Sequence, residues 1–211
     1  MIKKFHQHKN QIYGKITVSY YLCNIHLNLN FIFMITLKRI RKADEQILEK
    51  LTELYIISFP EEERRTIPQL KRMIEEVEEM NFCAIELDGN LSGLAVYWNM
   101  GEFFYMEHLA VFQEMRNHKI GQKVLEWWKQ NLDKPQLLEV EPPTDEMTER
   151  RINFYRRNGM EILNKEYIQP SYKKDEDSLP LWIMGTENPE KLDEYIADIR
   201  RVAYKEALRY I

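Results

Sequence analysis

Four consecutive polar residues, Arg116, Asn117, His118 and Lys119, stand between an apolar run and an amphipathic one, an arrangement that suits the binding of an anion. The run before them, Phe103 to Val111, is aromatic and aliphatic with almost no strand breaker, as expected of a central strand covered on both faces. After Lys119 the apolar positions change period, with Ile120, Val124, Trp127 and Trp128 at helical spacing. A helix opening near Lys119 turns unpaired backbone N–H groups toward the loop, where its dipole also favours negative charge. A phosphate fits such a place. An ordinary solvated turn fits the same residues, and a strand, a basic loop and a helix do not by themselves choose between the two.

A second constellation follows downstream. The residues Arg151 to Met160, reading RINFYRRNGM, lie between a predicted strand at Gln136 to Glu141 and another that starts at Glu161. With both stretches in view the chain resembles the GNAT acetyltransferase family, whose loop pattern is Arg/Gln-x-x-Gly-x-Gly/Ala and whose later helix ends in Phe-Tyr-x-x-x-Gly-Phe. Here the first reads Arg116, Asn117, His118, Lys119, Ile120, Gly121 and the second Phe154, Tyr155, Arg156, Arg157, Asn158, Gly159, Met160. The resemblance spans roughly residues 34 to 185, with the two motifs in the family's order. One position departs from it: Lys119 stands where the family has its first glycine. A side chain there either crowds a pyrophosphate or adds a cation to it. We expect the second, because a residue that opens a helix has ordinary helical dihedrals available to it.

The resemblance implies acetyl-CoA as co-substrate, with no metal, and an amine as acceptor. It assigns the coenzyme to the loop and helix start, Arg116, Asn117, His118, Lys119, Ile120, Gly121 and Gln122, and to the backbone of Leu109 and Val111 along the strand. Arg151, on the same helix face as Tyr155, is a further candidate for a coenzyme phosphate. Acetyl transfer needs a neutral nucleophile, and an alkyl ammonium with a pKa of about 10.4 costs about 4.6 kcal/mol to deprotonate at neutrality. Glu107 and His108 are adjacent candidates for the base and point to opposite faces unless a bulge intervenes. Glu107 is favoured, because alternation puts it on the face of Leu109 and Val111 and the family often has a glutamate in this strand; a satisfied structural carboxylate is the alternative. Tyr155 matches the family tyrosine that protonates the leaving thiolate, a helpful but dispensable acid, since a thiol of pKa about 8.5 already leaves readily. Glu139 and Glu141, which share a face of the fifth strand, are acceptor-site candidates.

The 211 residues, 44% of them hydrophobic, suffice for one good core, and a net charge of −4 argues against general nucleic-acid binding. Two cysteines, Cys23 and Cys83, are too few for a disulfide framework or a metal cluster and fit a reducing cytoplasm. Residues 1–33 differ from the rest: they hold four lysines and no acidic residue, which leaves 26 basic against 34 acidic residues after them. We expect a leader outside the working protein, which would then start at Met34. A strict alternation of Ile25, Leu27, Leu29, Phe31, Phe33 and Ile35 favours an added strand instead. Asn24, His26, Asn28 and Asn30 interrupt the apolar region and argue against a signal peptide or a membrane span.

The elements needed to position these residues follow in order. Strands are predicted at Met34 to Ile40, Phe82 to Leu87, Leu91 to Trp98, Phe103 to Val111, Gln136 to Glu141, Glu161 to Gln169 and Leu179 to Met184. Asp88-Gly89-Asn90 marks a hairpin. Helices are predicted at Ala43 to Ile57, Pro68 to Glu79, from Lys119, and at Thr144 to Arg157. Phe59 to Arg65 reads as a charged connection, either plainly solvated or the lip of an acceptor site. The expectation is a mixed α/β fold with a single domain over residues 34–187, its largely antiparallel sheet flanked by helices. A last amphipathic helix, Asn188 to Tyr210, with a stripe of Leu192, Tyr195, Ile196, Ile199, Val202 and Ala203, packs on the domain or on a second copy. Against an active amine acetyltransferase stand two other readings: a coenzyme-binding protein with little activity, and an interaction module that works through the last helix. The acceptor, whether small molecule or peptide, is not legible, because acceptor residues sit on loops without a common motif.

Overall fold

The computed structural model describes residues 34–42, 45–173 and 178–211, and residues 35–211 form one compact unit. The alternating stretch before Met34 and Cys23 lie outside the described residues, as do the first two residues of the helix expected from Ala43. Seven strands form one sheet in the order β1-β2-β3-β4-β5-β7-β6. They are β1 (Ile35–Arg39), β2 (Met80–Leu87), β3 (Asn90–Asn99), β4 (Phe104–Val111), β5 (Gln136–Val140), β6 (Glu161–Gln169) and β7 (Leu179–Gly185). All neighbours are antiparallel except β4 and β5. The β2–β3 hairpin turns on Asp88 and Gly89, both at positive φ (51° and 79°), the geometry that a two-residue turn between twisted strands requires.

Among the described residues five α-helices cover the two faces: α1 (Glu45–Ser58), α2 (Ile67–Glu76), α3 (Ile120–Asn131), α4 (Glu146–Arg157) and α5 (Leu192–Asp198). Leu51, Leu54 and Tyr55 of α1 and Leu70, Met73 and Ile74 of α2 pack with Phe82, Val96, Trp98 and Tyr105 on one face. Ile120, Val124, Leu125 and Trp128 of α3 and Ile152 of α4 pack with Ile85, Tyr97, Phe104 and Met106 on the other. Helix α2 is shorter than its apolar period suggests. Thr66 caps it, its side chain accepting from the Gln69 N–H, and Val77 has already left helical geometry (φ −100°, ψ 105°) on the way to β2.

The C-terminal segment departs from the expected regular helix. Helix α5 begins at Leu192 rather than Asn188 and widens into a π-helical stretch, Ile199–Lys205, before a 3₁₀ turn, Glu206–Tyr210. Widening shifts the angular period, so the residues buried after Ile199 are Ala203, Tyr204 and Ala207, while Val202 is only partly covered. Their apolar side chains close the α1–α2 face of the chain's own sheet.

Candidate active site

Strands β4 and β5 pair in parallel only from Phe104–Gln136 to Met106–Leu138, and then part. Glu107 and Glu139 are the next residues on the two arms. A cleft of about 760 Å³ opens at this fork; its lining includes Glu107, His108, Leu109 and Val111 of β4, Glu139 of β5, Arg116 of the loop, and Arg151 and Tyr155 of α4.

The backbone of β4 explains what the fork offers. On its other side Phe112 donates its N–H to the Ser92 carbonyl (3.0 Å), and β3 runs antiparallel with Gly93 opposite Val111 and Ala95 opposite Leu109. Hydrogen-bonded and non-hydrogen-bonded pairs alternate in such a ladder, so Leu109 and Val111 turn their N–H and C=O groups away from β3, into the fork. Gly93 keeps β3 that close: a Cβ there would lie 2.2 Å from the Ala110 carbonyl oxygen.

A bulge reorders the side chains. The β3–β4 register slips between Val96–His108 and Tyr97–Met106, so Glu107 has no partner of its own on β3. The expectation that Glu107 shares a face with Leu109 and Val111 is therefore corrected. Leu109 and Val111 pack on the α3–α4 face. Glu107 and His108 both meet groups of the α1–α2 face, because the extra residue cancels one step of the alternation.

The Glu107 carboxylate is fully buried and engaged at both oxygens. Oε1 pairs with Arg65 Nη1, and Oε2 accepts from Trp98 Nε1 at 3.0 Å. Burial is the largest single influence and pushes its pKa up, but the Arg65 charge together with the hydrogen bonds from Arg65 and Trp98 outweighs it and holds the group below the ordinary carboxylate range. Arg65 comes from the charged connection between α1 and α2, at a position where a solvated side chain was one of the two readings. It is buried instead, its Nη2 donating to the Ala203 carbonyl (2.5 Å) and its guanidinium lying over Tyr172 (4.7 Å) and Trp98 (5.5 Å). His108 lies 4.2 Å from Phe59, ring centre to ring centre, and burial drives its pKa down to about 4. The Tyr55 hydroxyl accepts from the Arg65 N–H (3.0 Å) and shares a second hydrogen bond with His108 Nε2 at 3.2 Å.

Glu139 has a different cradle. Its Oε2 accepts from Tyr105 (2.9 Å), Tyr204 (2.6 Å) and Gln169 (2.6 Å), and its Oε1 from Tyr167 (2.5 Å). Burial pushes its pKa up, and these hydrogen bonds recover only part of the shift. Glu141 pairs with Arg151 at the cleft edge, so the acceptor-site and phosphate candidates of the sequence reading meet each other.

Helix α3 starts at Ile120, and its N-cap Lys119 makes no side-chain capping bond. The N–H groups of the first turn are open toward the loop. Lys119 is left-handed (φ 56°, ψ 27°), which corrects the expectation of ordinary helical dihedrals: the chain turns from the loop into α3 through this residue, the conformation for which the family's glycine is suited. Asn117 is left-handed as well (φ 70°), and such turns gather successive N–H groups into an anion-binding concavity. Lys119, Asn117 and Arg116 are exposed, while His118 donates from Nδ1 to the Met115 and Arg116 carbonyls at 3.2 and 3.1 Å. The Gln122 side chain bonds Glu126 along the helix (2.9 Å). Gly121 serves packing, since a Cβ there would stand 3.3 Å from the Phe154 ring of α4. Asp145 caps α4 in a reciprocal capping box with Thr148, and Gly159 at φ 86° ends it. Tyr155 is half-buried against Phe154, its phenol pushed up by burial and so protonated at neutral pH.

The model of the GNAT acetyltransferase family matches residues 45–160. The chain belongs to that family. A solved structure assigned to GNAT, from Bacteroides thetaiotaomicron, is 33% identical and superposes with a TM-score of 0.76, covering 80% of this chain and 98% of its own. An acetyltransferase from Thermus thermophilus shares the fold at 12% identity, with a TM-score of 0.53, 73% of this chain and 97% of that one covered. No curated protein matches the chain. The GNAT assignment bears out the mixed, largely antiparallel architecture read from the sequence, and the family's acetyl donor is acetyl-CoA. Among the described residues no group of three histidine, cysteine, aspartate or glutamate side chains could hold a metal ion, and no helix is long and apolar enough to cross a membrane.

Sequence reasoning missed Arg65, Tyr105, Tyr167, Gln169, Tyr172 and Tyr204. Arg65 stands in a run of like residues, and the others are aromatic or amide residues of ordinary-looking strands and helix. The one available signal was the strand alternation that puts Glu139 on the covered face of β5, where a carboxylate needs partners.

Proposed function

We propose that this chain transfers the acetyl group of acetyl-CoA to a primary amine. The observation that carries the reading is the fork: outward-facing backbone groups of Leu109 and Val111 can pair with the amides of an extended arm, and the arm's phosphates then meet the uncapped start of α3. Acetyl-CoA fits this arrangement and supplies an activated thioester carbonyl. Arg116 and the first-turn N–H groups of α3 hold the phosphates, and the Tyr155 phenol gives its proton to the leaving sulfur. On the acceptor side the cleft is lined by Glu63, Glu139, Glu141 and Asp145 against Arg151, which pairs with Glu141, and the acidic excess favours a cationic amine over an anionic acceptor. The use of the last helix as a docking module is disfavoured, because Tyr195, Ile196, Ile199, Ala203 and Tyr204 are spent on the chain's own core. Thiol release from acetyl-CoA, followed with a panel of small amines and peptide N-termini, tests the reading. Saturable, amine-dependent release is expected; acetyl-CoA binding by titration without release toward any amine would leave a coenzyme-binding protein.

Lys119 provides a separable test of the phosphate site. A charge-assisted contact contributes roughly 1.5–3 kcal/mol, so Lys119→Ala and Lys119→Gly should each weaken acetyl-CoA binding about ten-fold or more. Glycine also relieves a left-handed residue, worth about 1–2 kcal/mol, but free and bound protein gain it alike. The glycine variant should therefore melt higher than the alanine variant at equal affinity. Wild-type affinity in both would show that the amine points away from the phosphates.

A further inference from the structure

Glu107 is sealed against Arg65, and His108 is buried between Tyr55 and Phe59, so the proton that the ammonium must lose before its nitrogen can attack needs another destination. Glu139 is the first residue of β5 beyond the fork; it lines the cleft and, among the described residues, forms no ion pair. Its partners are three phenols and an amide, all donors, and burial keeps those phenols protonated. A carboxylate fixed by donors alone can take up one proton, because the phenol hydrogens can turn to each other's oxygens; the Tyr105 and Tyr204 hydroxyls are already 2.9 Å apart.

We infer that Glu139 is the proton acceptor of the transfer, and that Tyr204, delivered by the π-helical C-terminal segment, is a positioning residue for it. The inference rests on the amine-acetyltransferase reading above. In the step, the amine nitrogen forms a bond to the thioester carbonyl carbon and the C–S bond breaks. Glu139 takes the first proton of the ammonium and so frees the lone pair; the second leaves nitrogen as the amide forms and replaces the proton that Tyr155 gives to the sulfur. The widened helix thus has a chemical consequence as well as a packing one. It swings Tyr204 to within 2.6 Å of the carboxylate, with Tyr172, whose ring lies under Arg65, 3.3 Å behind it. The charged groups nearest this cluster are Arg65 and Glu107, which neutralise each other, and Arg200, whose guanidinium lies 5.0 Å from the ring centre of Tyr167.

The test is turnover and acetyl-CoA affinity in Glu139→Gln and Tyr204→Phe, measured beside the wild type with its best amine. Glu139→Gln should lose about 10²-fold or more in kcat while its acetyl-CoA affinity stays within about two-fold of wild type. Tyr204→Phe keeps the ring and removes one donor to the carboxylate. Losing a donor raises the carboxylate pKa, so the acidic limb of kcat should move to higher pH, a shift that a purely structural role for Tyr204 would not produce. Wild-type turnover in Glu139→Gln, or an unmoved limb in Tyr204→Phe, would overturn the inference. It would be overturned equally by a variant Glu107→Gln that, assayed well below its melting temperature, loses the turnover that Glu139→Gln keeps. If the wild type itself releases no thiol with any amine, the reading beneath the inference fails, a result distinct from these.

Discussion

Glu107→Gln should lower the stability of the protein by about 3–5 kcal/mol, the cost of removing one partner of a buried ion pair. For a domain of this size that is a fall in melting temperature of roughly 6–20 °C. The reason lies in what is left behind. Arg65 is fully buried and remains charged, and the glutamine keeps the shape of the site but supplies no countercharge. The loss should extend beyond β4, since the same guanidinium holds the Ala203 carbonyl of the C-terminal segment. Replacing both partners with apolar residues, Arg65→Met together with Glu107→Leu, should recover much of the loss, because neither charge then needs solvation. Thermal or denaturant unfolding of the single and double variants measures this. A single variant as stable as wild type would mean that the pair is not shielded from water.

The second large effect is on acid stability. His108 is held neutral by burial, with its pKa near 4 against about 6.5 in an unfolded chain. The unfolded state therefore binds the extra proton first, and stability falls as pH drops from about 6.5 toward 4, by about 3 kcal/mol in total. Above about 6.5 the contribution is fully present. Glu107, held below its ordinary range, adds a loss of the same sign at lower pH, whereas Glu63 and Glu139, pushed up by burial, oppose it. His108→Gln isolates the imidazole, since the amide can still bond the Tyr55 hydroxyl. The drop in unfolding free energy between pH 7 and pH 4.5 should shrink markedly in that variant. An equal drop in variant and wild type would assign the acid sensitivity to the carboxylates.

Much of the site's frame was legible in the chain. A run of apolar residues from Phe103 and a change to helical spacing at Ile120 placed β4, the loop and α3, because periodicity follows from backbone geometry and needs no distant partner. The same local logic located α4 from Phe154 to Gly159 and the hairpin at Asp88-Gly89. The limits appear where a property depends on a residue far along the chain. A bulge exists only relative to the partner strand, so the alternation of β4 misplaced Glu107 by one face. The left-handed turn at Lys119 is set by where α3 must start on the sheet, and nothing in the residue type asks for it.

Sequence alone thus determined the order and kind of the elements, the anion-favouring loop and the membership that its two motifs announce. It also placed ionisable side chains on the strands flanking the fork. Tertiary structure decided what those side chains are able to do. Glu107 and Arg65 are 42 residues apart, and Glu139 gathers a donor from Tyr204, 65 residues away. A carboxylate beside a buried guanidinium is a fixed charge, while one cradled by phenols is open to a proton. That difference is made by desolvation and by neighbours brought from distant segments, and the local chain does not encode either.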